Sequence, residues 1–409
     1  MLLAAKILFL LGMLGLACAT GFMALVVVAA VRFRLRHGRP AEFRGEWPGV
    51  TVMKPLCGME PELKLNLEGF FRQQYPRFEL IFGTRDARDP ALEVVADLRQ
   101  QYPQVAVKIV YSGEPTRPNA KVCNLEKIYA AASYDYFIMS DSDVAVGAGY
   151  IEGTVRPLLE PGSGVVTCLY RGKPTGGFWA RLEALGMSVE MCGGAIASDL
   201  LEGMTFALGA TMAARREVIE AIGGMSALAD FCADDYVLGN EAHRLGYRNA
   251  LSHFVIDHVI VNRTFWPSMQ HQARWMRSTR FSRPAGHASS VLTFAMPFAL
   301  LAALAALAMH HPGWAAAVLL AGVINRLVMC LAMGALVVRD PRTFSWCWLY
   351  PLRDLMGFCF WVASYSGRTI MWRGERHRLL PRGLMERETP PRNAGRKNDS
   401  ETIAVDDLP

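Results

Sequence analysis

Nine cysteines are present, yet no two form a CxxC pair and none clusters with histidine. That pattern excludes the common structural zinc sites and reads as buried thiols in a reducing compartment. No internal repeat is visible, which sets aside repeat architectures. Charge is missing altogether from Ile7 to Val31. Such a run can cross the roughly 30 Å hydrocarbon core of a bilayer and exceeds a signal-peptide core. It lacks a clear small-x-small cleavage site, with Ala17-Cys18-Ala19 keeping cleavage as the minor alternative.

The chain has 409 residues, 52% hydrophobic and 20% charged. Its mean hydropathy of +0.18 is above that of most soluble domains. The apolar excess sits at the two ends. Arg32, Arg34, Arg36 and His37 follow the first run, and a basic flank marks the cytoplasmic side. A second block holds apolar segments from Val291 to Met309 and from Trp314 to Val338. A third segment, Phe344–Met371, contains Arg353 and Asp354 beside Pro351 and is expected to be re-entrant or interfacial. Arg326 inside the middle segment is expected to snorkel or to pack against a partner. The net charge of +6 lies largely on the flanks and tail and fits an anionic lipid surface rather than nucleic acid.

Residues 44–283 alternate strand-like and helix-like runs. Strands are expected at Val50–Met53, Phe78–Phe82 (broken by Gly83), Val105–Tyr111 and Tyr136–Met139. Helices are expected at Glu62–Gln74, Ala91–Gln101 and Lys121–Ala132. The order argues for an α/β sheet with helices on both faces, its ligands at the carboxyl ends of the strands. Further on, strands are expected at Val165–Tyr170 and Phe206–Met212. Helices are expected at Trp179–Met191, Arg215–Ile222 and from Asp234 to Leu245.

The strand Tyr136–Met139 stops at Ser140-Asp141-Ser142-Asp143. Carboxylates spaced i, i+2 at a strand end can both reach one cation, which can then neutralise a diphosphate. Any edge strand can end this way, so the pair gains meaning from three features in register with it. Asp86 follows an earlier strand, Asp235 opens a later helix, and Arg274-Trp275 precedes the second apolar block. Of the neighbours Asp234 and Asp235, Asp234 is expected to be a helix cap.

In this order the chain resembles the ceramide glucosyltransferase family, a branch of the family-2-like glycosyltransferases. The matching stretches include Lys54-Pro55-Leu56-Cys57-Gly58, Asp86-Ala87-Arg88-Asp89-Pro90, Asn119-Ala120-Lys121-Val122-Cys123-Asn124-Leu125, Ala233-Asp234-Asp235-Tyr236 and Arg274-Trp275. Phe206–Thr211 and Ala233–Gly239 are also similar to the hopanoid-associated branch. The resemblance implies a GT-A-like, Rossmann-type mixed sheet flanked by transmembrane helices. It implies that Asp86 contacts uridine and that Asp141 and Asp143 hold Mg²⁺ or Mn²⁺ on the diphosphate of a UDP-sugar. Asp235 would be the base, Arg274 would stabilise the leaving diphosphate, and Trp275 would lie near acceptor and sugar. Lys121 would add positive charge at the nucleotide. His271 stands where the family writes Gln or Arg.

The division expected is an N-terminal transmembrane anchor at 1–36 and a cytoplasmic catalytic domain at 44–285. Transmembrane or re-entrant helices at 289–372 and a disordered tail at 386–409 complete it. The chemistry also stands without the family. Leaving-group charge must be neutralised and an acceptor hydroxyl deprotonated. One base and no candidate nucleophile imply inversion. The expected activity is inverting transfer of a hexose to a lipid hydroxyl at the bacterial inner membrane, with the acceptor a ceramide. The alternative is N-acetylglucosamine transfer to a hopanoid such as bacteriohopanetetrol. A polysaccharide synthase or a non-catalytic nucleotide-binding membrane protein ranks below both, and no nucleic-acid partner is expected.

Overall fold

Residues 2–37, 45–262, 264–372 and 374–388 are described in a computed structural model of the chain. The first element, α1 (Leu2–His37), is a helix of 36 residues whose apolar side chains show no one-sided pattern. Such a helix is about 54 Å long, more than a bilayer core requires.

The sheet begins with three buried strands and a half-exposed edge strand, Ala106–Tyr111. β1 (Val50–Pro55) pairs in parallel with β2 (Phe78–Thr84) and with β4 (Tyr136–Ser140), and β2 pairs in parallel with β3 (Ala106–Tyr111). The connections are α2 (Leu63–Phe71), α3 (Ala91–Gln101) and α4 (Ala120–Ala131). Alternation along the strands decides which helix packs where. Val52 and Leu80 point with Leu67 of α2 and Leu98 of α3 into one core. Met53 and Ile81 point to the other face, against Val122, Leu125 and Ile128 of α4. Gly83, expected to break β2, continues it. A Cβ there would lie 1.9 Å from Asn124 Oδ1, and Asn124 Nδ2 donates to the Gly83 carbonyl at 2.8 Å.

The second half turns the sheet mixed. It comprises β5 (Val144–Ala145), α5 (Tyr150–Val155), β6 (Ser163–Pro174), α6 (Phe178–Leu185) and, beyond a π turn, α7 (Cys192–Leu201). There follow β7 (Thr211–Arg215), α8 (Arg216–Ala221), α9 (Asp234–Arg244) and β8 (Arg248–Ile260). The eight strands run in the order β3-β2-β1-β4-β7-β6-β8-β5, with β7 antiparallel to β4 and β6. The fold is therefore the GT-A-like, Rossmann-type mixed sheet that the family resemblance implied, where the alternation of runs alone argued for a parallel one. One strand starts later than expected. Residues Phe206–Ala210 are loop, because Thr167 Oγ1 and the Tyr170 hydroxyl accept the Leu208 and Ala210 N–H groups.

Beyond the sheet lie α10 (Phe265–Ser282), α11 (Pro284–Ser289), α12 (Met296–Ala308), α13 (Pro312–Ala332), α14 (Thr343–Trp346) and α15 (Tyr350–Ser364). By length and composition, three helices among the described residues could cross a membrane: Leu2–Arg36, Phe178–Leu201 and Pro312–Val337. A further pair, Pro284–Thr293 with Met296–Ala308, is bent by 50°. The helix Phe178–Leu201 belongs to the block expected to be catalytic, and its α7 end packs on α1. Fifteen residues in α15 rise only about 22 Å, short of a full crossing. Arg326 has a buried partner: its Nη1 lies 2.8 Å from Asp354 Oδ1.

A three-stranded antiparallel sheet closes the described chain: β9 (Thr369–Trp372), β10 (Glu375–Leu379) and β11 (Met385–Arg387). Met385 N–H donates to the Asp230 carbonyl at 2.8 Å, and Cys232 N–H donates to the Gly383 carbonyl at 2.9 Å. The tail expected from residue 386 thus begins inside a strand. Its remainder, 389–409, lies outside the described residues.

Candidate active site

The order of the parallel strands reverses between β1 and β4, which opens a crevice at their carboxyl ends. Asp141 and Asp143 follow β4 into that crevice. Lys121 reaches it from the first turn of α4, a helix capped by Asn119, whose side chain accepts the Val122 N–H at 3.1 Å. Lys121 Nζ lies 2.6 Å from Asp141 Oδ1 and 3.8 Å from Asp234 Oδ2. Burial would lower the Lys121 pKa, but the carboxylates of Asp141 and Asp234 outweigh it and raise it. Asp143 Oδ2 lies 3.6 Å from His258 Nε2, while its Oδ1 is buried with no hydrogen bond among the described residues.

Beneath the pair sits Lys54, fully buried at the end of β1. Its ammonium donates to Ser140 Oγ at 3.3 Å and to the Asp141 carbonyl, and lies 3.9 Å from the centre of the Phe70 ring. Burial pushes its pKa down to about 7 against the pull of Asp141 and Asp143. Lys54 carried no site role in the sequence reading. A lysine ending an apolar strand was the available signal.

Asp86 stands at the outer rim, its Oδ1 accepting the Arg88 N–H at 2.8 Å. It touches none of the other acids in the described contacts. Asp234 and Asp235 open α9, and the expected cap is not formed. That helix has no side-chain N-cap bond, and buried Asp234 instead accepts from Asn119 Nδ2 at 3.3 Å. Asp235 Oδ1 accepts the Tyr236 N–H at 2.8 Å. A Cβ on Gly209 would lie 2.8 Å from its other oxygen, so glycine leaves that face of the carboxylate open. Burial, then the charge of Asp234, raises the Asp235 pKa to about 6, with Lys121 opposing.

His271 and Trp275 are one helical turn apart on α10, their ring centres 4.2 Å apart. His271 Nδ1 lies 2.6 Å from Oε1 of Glu183, a buried α6 residue whose other oxygen accepts from Ser268 and Asn262. Glu183 was not read from the sequence, where it is one of two acids in an apolar helix. The Arg274 guanidinium lies 5.9 Å from the centre of the Trp372 ring on β9. One cavity of ≈ 2160 Å³ is lined by all eight expected residues: Asp86, Lys121, Asp141, Asp143, Asp235, His271, Arg274 and Trp275.

Among the described residues no group of three or more His, Cys, Asp or Glu could hold a metal ion by itself. Two carboxylates with one unbonded buried oxygen fit a hard cation whose remaining oxygen ligands come with a diphosphate.

Residues 11–385 match the family model described as glycosyl transferase family 21. The chain is 28% identical over 229 residues to ceramide glucosyltransferase 3 of Caenorhabditis elegans, covering 56% of this chain and 49% of that protein. With ceramide glucosyltransferase 1 of the same organism it is 30% identical over 221 residues, covering 54% and 47%. The chain spans about half the length of these curated relatives. Among solved structures, a mannosyltransferase from Pyrobaculum calidifontis in complex with GDP-Man and Mn²⁺ is 18% identical. That match covers 86% of this chain and 99% of the other, with a TM-score of 0.47. The match across nearly the whole described chain identifies it as a member of glycosyl transferase family 21.

Proposed function

We propose that the protein transfers a hexose from a UDP-sugar to the hydroxyl of a membrane lipid, ceramide in the first instance, with inversion at the anomeric carbon. The continuity of the cavity carries this reading. It runs without a break from Asp141 and Asp143, past Asp235, to Phe294, Met329 and Tyr350 among the apolar helices. A nucleotide-sugar entering at the strand ends and a lipid entering among those helices would meet at Asp235. The catalytic block then lies on the cytoplasmic side of the bacterial inner membrane, in line with Arg32, Arg34 and Arg36 after the first apolar run.

In this reading Asp86 binds uridine at the rim. Asp141 and Asp143 hold Mg²⁺ or Mn²⁺, which supplies neutralisation of diphosphate charge. Lys121 adds a fixed positive charge, and Lys54 holds the Asp141 backbone in place from below. Asp235 takes the proton of the lipid hydroxyl as its oxygen bonds to the anomeric carbon. The bond from that carbon to the diphosphate breaks with its electron pair, and Arg274 stabilises the departing charge. Trp275 walls the site where sugar and lipid meet, braced by His271. One displacement leaves the configuration inverted.

The test is to incubate membranes containing the protein with labelled UDP-glucose or UDP-N-acetylglucosamine and identify the product by mass spectrometry. A labelled glycolipid is expected. Donor turnover that labels only water-soluble products would overturn the reading.

A further inference from the structure

Four charged residues lie in the helical end of the cavity: Glu190, Arg326, Arg353 and Asp354. Charges in such apolar surroundings persist where they are paired or have a function. They form two ion pairs of unlike completeness. Arg326 Nη1 lies 2.8 Å from Asp354 Oδ1 and donates to the Thr293 carbonyl at 3.1 Å. Asp354 Oδ2 accepts the N–H groups of Ala295 and Met296 at 3.0 and 2.8 Å, where α12 begins. That pair is closed and joins α12, α13 and α15.

The second pair is open. Arg353 Nη2 lies 3.1 Å from Glu190 Oε2, and the Arg353 side chain is only 7% exposed. Yet its Nε and Nη1 are buried with no hydrogen-bond partner among the described residues. Leaving two guanidinium donors unmet in a buried place is costly. Two glycines make room for the guanidinium itself. A Cβ on Gly186 would come within 2.3 Å of Nε, and one on Gly357 within 2.9 Å of Nη1. The Phe360 ring fixes the guanidinium from one side at 5.8 Å. Glu190 follows Glu183, the partner of His271, by two turns of the same helix, about 10 Å.

We infer that Arg353, held by Glu190 and cradled by Gly186 and Gly357, binds a neutral oxygen of the lipid acceptor beyond its reacting hydroxyl. That oxygen is an amide carbonyl or a hydroxyl. The inference rests on the lipid-acceptor reading above and narrows it. Arg353 with Glu190 forms a balanced pair, as does Arg326 with Asp354, so neither pair leaves a net positive charge at this point of the cavity for a phosphate. The site therefore suits an N-acyl sphingoid or a polyol lipid and disfavours a polyprenyl phosphate.

The test uses the full chain in detergent, with whichever UDP-sugar supports transfer. The acceptors are N-hexanoyl sphingosine, a polyhydroxylated triterpenoid, a long-chain 1-alkanol and a polyprenyl phosphate. Wild-type protein is expected to show a KM about tenfold lower for the amide or polyol lipid than for the alkanol, the worth of one hydrogen bond to a charged group. Arg353→Lys keeps the pair with Glu190 but loses the fork. It should raise KM about tenfold for the preferred lipid. KM for the alkanol and for the donor should stay unchanged. An equal rise for the alkanol would show a purely structural role and overturn the inference. So would a wild-type protein that prefers polyprenyl phosphate or does not distinguish amide, polyol and alkanol. Failure to glycosylate any lipid would overturn the lipid-acceptor reading itself, whereas transfer without preference defeats this inference alone. The triterpenoid and sphingoid arms separate the two sources of the bound oxygen.

Discussion

The parallel half of the sheet and the half that faces the apolar helices solve different problems with different means. In the first, four short strands joined by three helices follow one another along the chain, and Asp86, Asp141 and Asp143 lie just beyond the ends of β2 and β4. In the second, Glu183 of α6 meets His271 of α10, Arg274 of α10 meets Trp372 of β9, and Glu190 meets Arg353 of α15. The acids Asp141 and Asp143 thus follow a strand end in the local order, while their partners Lys54, Lys121 and His258 come from other segments. The second half is likewise assembled from segments that are far apart in the chain. Under the proposed function, a donor site at strand ends and an acceptor site among helices suit an enzyme whose two substrates come from water and from lipid.

The comparison can be broken most severely at the donor end. Removing divalent metal with EDTA should reduce transfer to background, and added Mg²⁺ or Mn²⁺ should restore it. Full turnover after verified metal removal would separate Asp141 and Asp143 from any metal role.

Next in size is the junction of the halves. Asp235→Asn should lower kcat by about 10²–10⁴-fold, the usual worth of a positioned base. Donor binding, followed by calorimetry, should survive. Wild-type kinetics at this junction should also depend on pH. A base must be deprotonated to act, so kcat should fall below pH of about 6, by about tenfold per unit once the group is protonated. The charge of Asp234 helps raise that pKa, so Asp234→Asn should move the acid limb to lower pH. A limb that moves upward would contradict the electrostatic reading of the pair.

The smallest effect is expected on the acceptor side. His271→Gln restores the residue type of the family motif, and an amide can still donate to Glu183. Activity should stay within about fivefold of wild type, the worth of one ordinary hydrogen bond. A loss as deep as that of Arg274→Ala would give the imidazole a chemical role of its own.

Legibility follows the same divide. Strands β1 to β4 were readable as short apolar runs alternating with helix-like runs, and the Asp-x-Asp turn because the apolar run of β4 stops at Asp141 and Asp143. Strand β8 was not, because Asn249, Ser252, His253, Asp257 and His258 interrupt any apolar alternation over its 13 residues. The closing sheet escaped because its strands are short and charged, with only Ile370, Leu379 and Met385 marking the buried face. Asp234 was read as a cap because acids favour first helical turns. Its tie to Asn119 is a contact across the chain that local pattern does not reveal. Glu183 and Lys54 were missed for the same reason, since each takes its meaning from a partner far away in sequence.

The most direct test of a single displacement onto a lipid hydroxyl is the configuration of the product. With UDP-α-glucose as donor, NMR of the purified glycolipid should show a β-linked sugar on the lipid's own hydroxyl oxygen. An α-linked product would demand a covalent intermediate or front-face attack and would contradict Asp235 acting as the lone base.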